Sequence, residues 1–284
     1  MHARPWKISA PCSPGIHGWI GLVLIAVFWP LNWVLPGLRT AYLFLPLWLG
    51  YVLSMDALVL QRRGTSLFTR SRPRFWGLFL ASAPAWWLFE VINWRTKNWE
   101  YLGGENFTGL EHFFLSTLSF STVMPAVFET AELARPLRWI DRLGPGPRLR
   151  PTRSFCLALL LSGLVMLALT LLWPRHCYPL VWGAVFLILE PVNVWLGRPH
   201  FLEWLQEGDW RPVVSLSLGA LVCGFFWEMW NFYSFPKWIY HTPGAEFLYV
   251  FEMPALGFIG YLPFAWELYA LRNLLWSGAP RLRL

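Results

Sequence analysis

Residues 18–35 and 154–173 carry no charged side chain, and that single feature constrains the chain most. A bilayer-crossing helix needs about 20 consecutive apolar residues, so two uncharged runs of this length direct the fold into a membrane. Four further stretches, 41–60, 75–93, 178–197 and 213–235, are almost as apolar and hold one carboxylate each. Two more, 110–134 and 247–271, hold several acids. The reading is an all-α integral membrane protein of about eight transmembrane helices. Composition agrees: only 14% of residues are charged, against about a quarter in ordinary soluble domains. The first run follows a basic segment in the manner of a signal peptide. Its counterpart at 154–173, with Trp29-Pro30 echoed by Trp173-Pro174, makes it part of the folded unit instead.

The net charge, 23 − 16 = +7, is not spread evenly. Arg62, Arg63, Arg70, Arg72 and Arg74 fall in one loop, and Arg135, Arg138, Arg142, Arg148, Arg150 and Arg153 in another. By the positive-inside rule both loops face the cytoplasm of a bacterial inner (plasma) membrane. His2, Arg4 and Lys7 before the first span, with Arg272, Arg281 and Arg283 after the last, put both termini on that side. These arginines serve topology and anionic headgroups rather than nucleic acid. Cys12, Cys156, Cys177 and Cys223 lie apart, without the spacing of a zinc site or a disulfide framework.

The chain also repeats itself. Residues 87–101 read WLFEVINWRTKNWEY and residues 225–240 read FFWEMWNFYSFPKWIY. Glu90 aligns with Glu228 and Asn93 with Asn231, since 228 − 90 = 231 − 93 = 138. Trp99 and Tyr101 align with Trp238 and Tyr240 at an offset of 139, and Pro125 and Glu129 with Pro263 and Glu267 at 138. Four spans per copy means two parallel four-helix repeats, 1–134 and 154–284, related by an axis along the membrane normal. Residues 135–153, rich in Pro, Gly and Arg, form a mobile cytoplasmic linker between them.

A carboxylate inside a bilayer is costly, so each one marks a candidate site. Glu90 with Asn93, and Glu228 with Asn231, are spaced to share a helical face. They are candidate catalytic residues or, alternatively, hydrogen-bond clasps between helices. Trp86, Trp87, Phe89 and Trp94 crowd the first pair and Phe225, Phe226, Trp227, Trp230 and Phe232 the second. The interfacial belt accounts for Trp99 and Trp238. With the Trp-x-Tyr motifs included, the aromatics singled out are Trp87, Trp94, Trp99, Tyr101, Trp227, Trp230, Trp238 and Tyr240. These are the candidate substrate-binding residues. Glu111 and Glu252, at the starts of the fourth and eighth spans, are further candidates. Glu129 and Glu267 are expected to reach for water near the cytoplasmic end, while Asp56 and Glu190 sit in corresponding spans without aligning to the residue. The run Ser116, Thr117, Ser119, Ser121 and Thr122 either lines a wet cavity or bonds back to carbonyls one turn earlier.

The order FE, NWEY, LEHFF in the first copy and WE, KWIY, FEMP in the second resembles the repeated domain of the small membrane-embedded lycopene cyclases. The double acid after proline that is typical of those cyclases is missing here. The resemblance implies a cofactor-independent isomerase of carotenoid biosynthesis that closes a ring on an isoprenoid chain. The residues suit that chemistry on their own account. A neutral, dry carboxylic acid such as Glu90 or Glu228 can protonate an alkene, aromatic faces stabilise the carbocation, and Glu252 or Glu111 can take a proton away. No metal or cofactor is expected, and the partner is a membrane lipid or isoprenoid. Two alternatives stay open: a proton- or cation-coupled transporter or channel, and a non-catalytic subunit of a membrane complex.

Overall fold

A computed structural model describes residues 15–276 and 282–284; His2, Arg4, Lys7, Cys12 and Arg281 lie outside the described residues. The structure is mostly helical with little sheet. Six helical segments are long and apolar enough to cross a membrane: Ile16–Val34, Thr40–Arg63, Arg72–Thr96, Arg153–Leu172, Pro174–Trp195 and Arg211–Phe232. These are α1 (Ile16–Val34), α2 (Thr40–Arg63), then after the short α3 (Leu67–Arg70), α4 (Arg72–Thr96). The second half supplies α8 (Arg153–Leu172), the short α9 (Pro174–Cys177) continued by α10 (Val181–Trp195), and, after α11 (Leu202–Glu207), α12 (Arg211–Phe232).

The fourth and eighth expected spans are not continuous helices. Residues 110–134 divide into α5 (Gly109–Phe120) and α6 (Val123–Ala134), followed by one turn, α7 (Arg138–Asp141). The break has a local cause. The hydroxyls of Thr117, Ser119, Ser121 and Thr122 donate to the carbonyls of Phe113, Leu115, Leu118 and Ser119, competing with the backbone where α5 ends. In the second half, residues 247–260 form two short strands and a 3-10 turn, and only α13 (Tyr261–Leu275) is helical.

Helix ends follow from their residues. Gly64 closes α2 in the left-handed conformation at φ 70°, with Arg62 and Arg63 in the last turn where the helix dipole favours cations. Pro73 opens α4. Close approach of α1 and α2 requires Gly21, where a Cβ would stand 2.8 Å from the Gly50 carbonyl oxygen. Gly163 of α8 plays the same part against α10, 2.8 Å from the Ala184 carbonyl oxygen. Small residues that let backbones meet are what membrane helices use in place of a hydrophobic drive. In the first half α1 packs on α2, α2 on α6 and α4 on α6; in the second, α8 packs on α10, α10 on α13 and α12 on α13. The halves join where α6 meets α12 and α4 meets α13.

The basic segments gather at one end. Arg70 forms a two-pronged pair with Glu132, at 2.5 and 3.0 Å, and the Arg283 N–H donates to the same carboxylate at 3.0 Å. The linker is less free than its composition suggests. Gly146 and Leu149 N–H groups donate to the carbonyls of Gly208 and Leu205, and the Trp210 indole donates to the Pro147 carbonyl. At the other end, strand β1 (Trp99–Leu102) pairs antiparallel with β2 (Lys237–Tyr240), joining the two halves. The remaining strands are β3 (Tyr249–Val250) and β4 (Met253–Pro254).

Candidate functional site

Glu90 lies near the end of α4 and is buried. One of its oxygens accepts three hydrogen bonds: from the Trp86 indole at 3.0 Å, the Trp99 indole at 3.1 Å and the Tyr101 hydroxyl at 2.6 Å. Glu228 lies near the end of α12 and is wholly buried. One of its oxygens accepts from the hydroxyls of Tyr240 and Tyr261, both at 2.7 Å, and the Trp238 indole donates to Tyr240 at 2.9 Å. Its other oxygen has no hydrogen-bond donor. An unsatisfied buried polar atom costs roughly 1–3 kcal/mol, so such an atom invites a functional account.

Asn93 and Asn231 hold these arrangements in place. The Asn93 amide donates to the Trp99 carbonyl at 2.8 Å and accepts from the N–H groups of Asn98 and Trp99. Asn231 donates to the Trp238 carbonyl at 2.7 Å and accepts from the Trp238 N–H at 3.0 Å. Each asparagine thus clamps the strand that carries a Trp-x-Tyr onto the helix that carries the glutamate. Of the two sequence readings, the geometry gives the asparagines the clasp role. The clasp joins helix to strand, however, rather than helix to helix.

Trp86, Trp99, Tyr101, Trp227, Trp238, Tyr240 and Tyr261 all line one cavity of about 680 Å³. That lies within the range of about 300–1,000 Å³ typical of small-molecule sites. Trp182 and Phe264 add to its aromatic wall. Trp182 stacks on Phe89 with centroids 5.6 Å apart and meets Phe264 edge-on at 5.8 Å. Polar groups on the lining are few: His112, Ser116, Ser119 and Lys237 are among them. In the serine-rich run the back-bonding reading holds for Thr117, Ser119, Ser121 and Thr122, while only Ser116 and Ser119 line the cavity. Burial and the adjoining Glu90 carboxyl push the Tyr101 phenol well above its ordinary range, and burial with Glu228 does the same to Tyr240. Both strand tyrosines therefore remain protonated donors.

Other candidates lie elsewhere. Trp94 is 63% exposed on the outer surface. Trp87 stacks on Phe113 and donates to Thr117, away from the lining. Trp230 is buried between Trp48 and Tyr51. Glu111 is spent on the capping box that starts α5, accepting from the Thr108 N–H at 2.8 Å. Glu252 pairs with Lys237. Glu129 and Glu267 do not reach water: both are 0% exposed, Glu129 beside Asp56 and Glu267 beside the backbone of Val185 and Phe186. They sit on α6 and α13, short interior helices without a path for a side chain to snorkel.

Asp56 and Glu190 turn out to do the same job. Asp56 accepts from the Phe68 N–H at 2.9 Å beside His17, and Glu190 from the Leu202 N–H at 2.7 Å beside His200. Their offset, 190 − 56 = 202 − 68 = 134, differs from 138, which hid the correspondence. Trp182 and Tyr261 went unremarked in the sequence. Phe44, also on the lining, precedes Trp182 by 182 − 44 = 138, so the offset that links the glutamates was the available signal. No cluster of three His, Cys, Asp or Glu side chains suited to a metal occurs among the described residues. Comparison with family models, with curated proteins and with solved structures matches nothing to this chain.

Proposed function

We propose that this membrane protein binds an isoprenoid or other lipid in the aromatic cavity and acts on it by acid/base chemistry. The observation that carries the reading is the pairing of each buried glutamate with phenols that line the cavity: Glu90 with Tyr101, and Glu228 with Tyr240 and Tyr261. When the carboxyl takes up a proton, its hydrogen bond to the phenol reverses, so that the carboxyl donates to the phenol oxygen. Its proton moves there as the phenol gives its own to an alkene carbon, leaving a carboxylate. The cation that results rests against Trp and Phe faces, whose quadrupoles stabilise it without attacking it. A neighbouring double bond closes onto the cation, one carbon–carbon bond forms, and a proton returns to a carboxylate. Composition is unchanged and no cofactor is consumed, as in the lycopene cyclases whose motifs these residues resemble.

The two halves are, in this reading, parallel copies of one unit. The β1–β2 register supports it, because Trp99 faces Tyr240 and Tyr101 faces Trp238. Exchanging equivalent residues turns one of these pairs into the other. Eight crossings then comprise the six long helices plus two composite walls, α5 with α6 and residues 247–260 with α13. The arginine-rich end lies in the cytoplasm of a bacterial inner membrane, with both termini.

Glu90→Gln and Glu228→Gln keep shape but remove the proton. We expect native-source protein to carry a stoichiometric isoprenoid, identified by mass spectrometry of the organic extract. Each Gln variant should fold and retain that lipid but lose conversion by about 100-fold or more. Full activity in both variants rejects the carboxyls as acids. A second reading, a proton- or cation-coupled transporter, draws on Glu129 and Glu267, buried on matching helices. An extract without lipid, together with ion flux in liposomes, favours it.

A further inference from the structure

At about 1.5 Å per residue, the 15 residues of α13 cover only about 22 Å. The hydrocarbon layer is about 30 Å thick. The remainder of that wall is the strap of residues 247–260, which runs through β3, β4 and a 3-10 turn. Non-helical backbone at this depth survives only where its polar groups are satisfied. The strap satisfies many of its own: β3 pairs with β4, and the Ala255 N–H donates to the Leu248 carbonyl at 2.9 Å. Leu248 and Phe251, at φ 52° and 61°, occupy the left-handed region that glycine favours, and Gly244 at φ 84° marks the strap's root.

Its two faces are both occupied by apolar space. Met253, Leu256, Gly257 and Ile259 line the aromatic cavity. Val250, Ala255 and Phe258, with Leu221 and Phe225 of α12, line a separate apolar depression of about 300 Å³ on the far side. One thickness of chain therefore divides the cavity from the outer depression. Leu248, at the start of the strap, is 75% exposed. The strap is held by side chains rather than by helix packing: Lys237 pairs with Glu252, and Phe251 meets Phe225 at 5.5 Å and Phe232 at 5.8 Å.

We propose that the strap is a lateral portal, and that the ligand is an apolar molecule dissolved in the bilayer that passes between the depression and the cavity when the strap swings aside. The inference rests on the cavity being a ligand site. A strap carrying its own hydrogen bonds can move as a unit without presenting bare amides to lipid, which a spanning helix cannot do by unwinding. Water-soluble ligands gain nothing from such a path.

The test uses the full chain in liposomes with diphenylhexatriene, an apolar polyene, dissolved in the bilayer. Probe retained by the protein after rapid extraction and gel filtration is followed over time. In a Phe225→Cys, Phe251→Cys double variant, a short bis-maleimide ties the strap to α12, and wild type carried through the same treatment controls for the native thiols. Before cross-linking, uptake should be at least as fast as in wild type, because the Phe225–Phe251 contact that holds the strap is gone. Cross-linking should slow it by about tenfold or more relative to the same variant without the linker. Glu252→Gln, which weakens the latch, should speed uptake severalfold without changing the final stoichiometry. Equal rates with and without the cross-link, or an unchanged rate in Glu252→Gln, overturn the portal while leaving the cavity reading intact. No retention by wild type overturns both.

Discussion

Asn231 illustrates how one side chain sets a site without touching a ligand. Its amide satisfies both the N–H and the carbonyl of Trp238, which fixes the strand that aims Tyr240 at Glu228. Asn231→Ala leaves two part-buried backbone groups of Trp238 without this partner and should cost about 1 kcal/mol or more, read as a lowered thermal midpoint in detergent. Asn231→Asp keeps the acceptor but loses the donor, and should fall between. Equal stability in all three proteins would remove the clamp from the argument. Residue identity in the sequence was enough to single out Glu90, Glu228 and both asparagines. It did not say which would face the cavity and which the backbone, because a spacing of three residues fixes a shared helical face and not what lies opposite. Tyr261 was invisible for the same reason: it reaches Glu228 from another helix, 33 residues away.

Elements were legible where hydropathy alone decides them. The six long helices follow from uncharged or nearly uncharged runs, since a membrane leaves such a run no alternative with satisfied amides. The fourth and eighth spans read wrongly as continuous helices because a protein interior supplies partners that lipid does not. Residues 247–260 satisfy themselves in a small hairpin, and the hydroxyl run at 117–122 breaks its helix from within. Helix pairing depends on individual glycines. Gly163→Val places methyl groups against the Ala184 carbonyl, which already lies 2.8 Å from where a single Cβ would stand. It should destabilise the α8–α10 pair by about 1–3 kcal/mol or more, measured as loss of folded protein on heating, whereas Gly109→Val, with open space around it, should be nearly neutral.

Across the whole molecule, charge and chemistry are separated by the length of the bundle. The arginine-rich loops, Glu132 and the linker occupy one end, and the β1–β2 ladder with Tyr101 and Tyr240 the other, where only scattered cations such as Arg39, Arg95 and Lys237 lie. Single cysteines at positions 70 and 145 should therefore be labelled by an impermeant maleimide only in inverted membrane vesicles, and one at position 97 only in right-side-out cells. The opposite pattern reverses the orientation. The cross-half ladder also has a consequence for biogenesis. Asn93 can seat β1 against α4 as soon as residue 99 has emerged, but the strand's partner is synthesised about 140 residues later. A half-made chain thus waits in the membrane with an open strand edge at its surface, the kind of edge that invites pairing with a neighbour. The interval before residue 240 leaves the ribosome is when this protein is most exposed to mispairing with another nascent copy of itself.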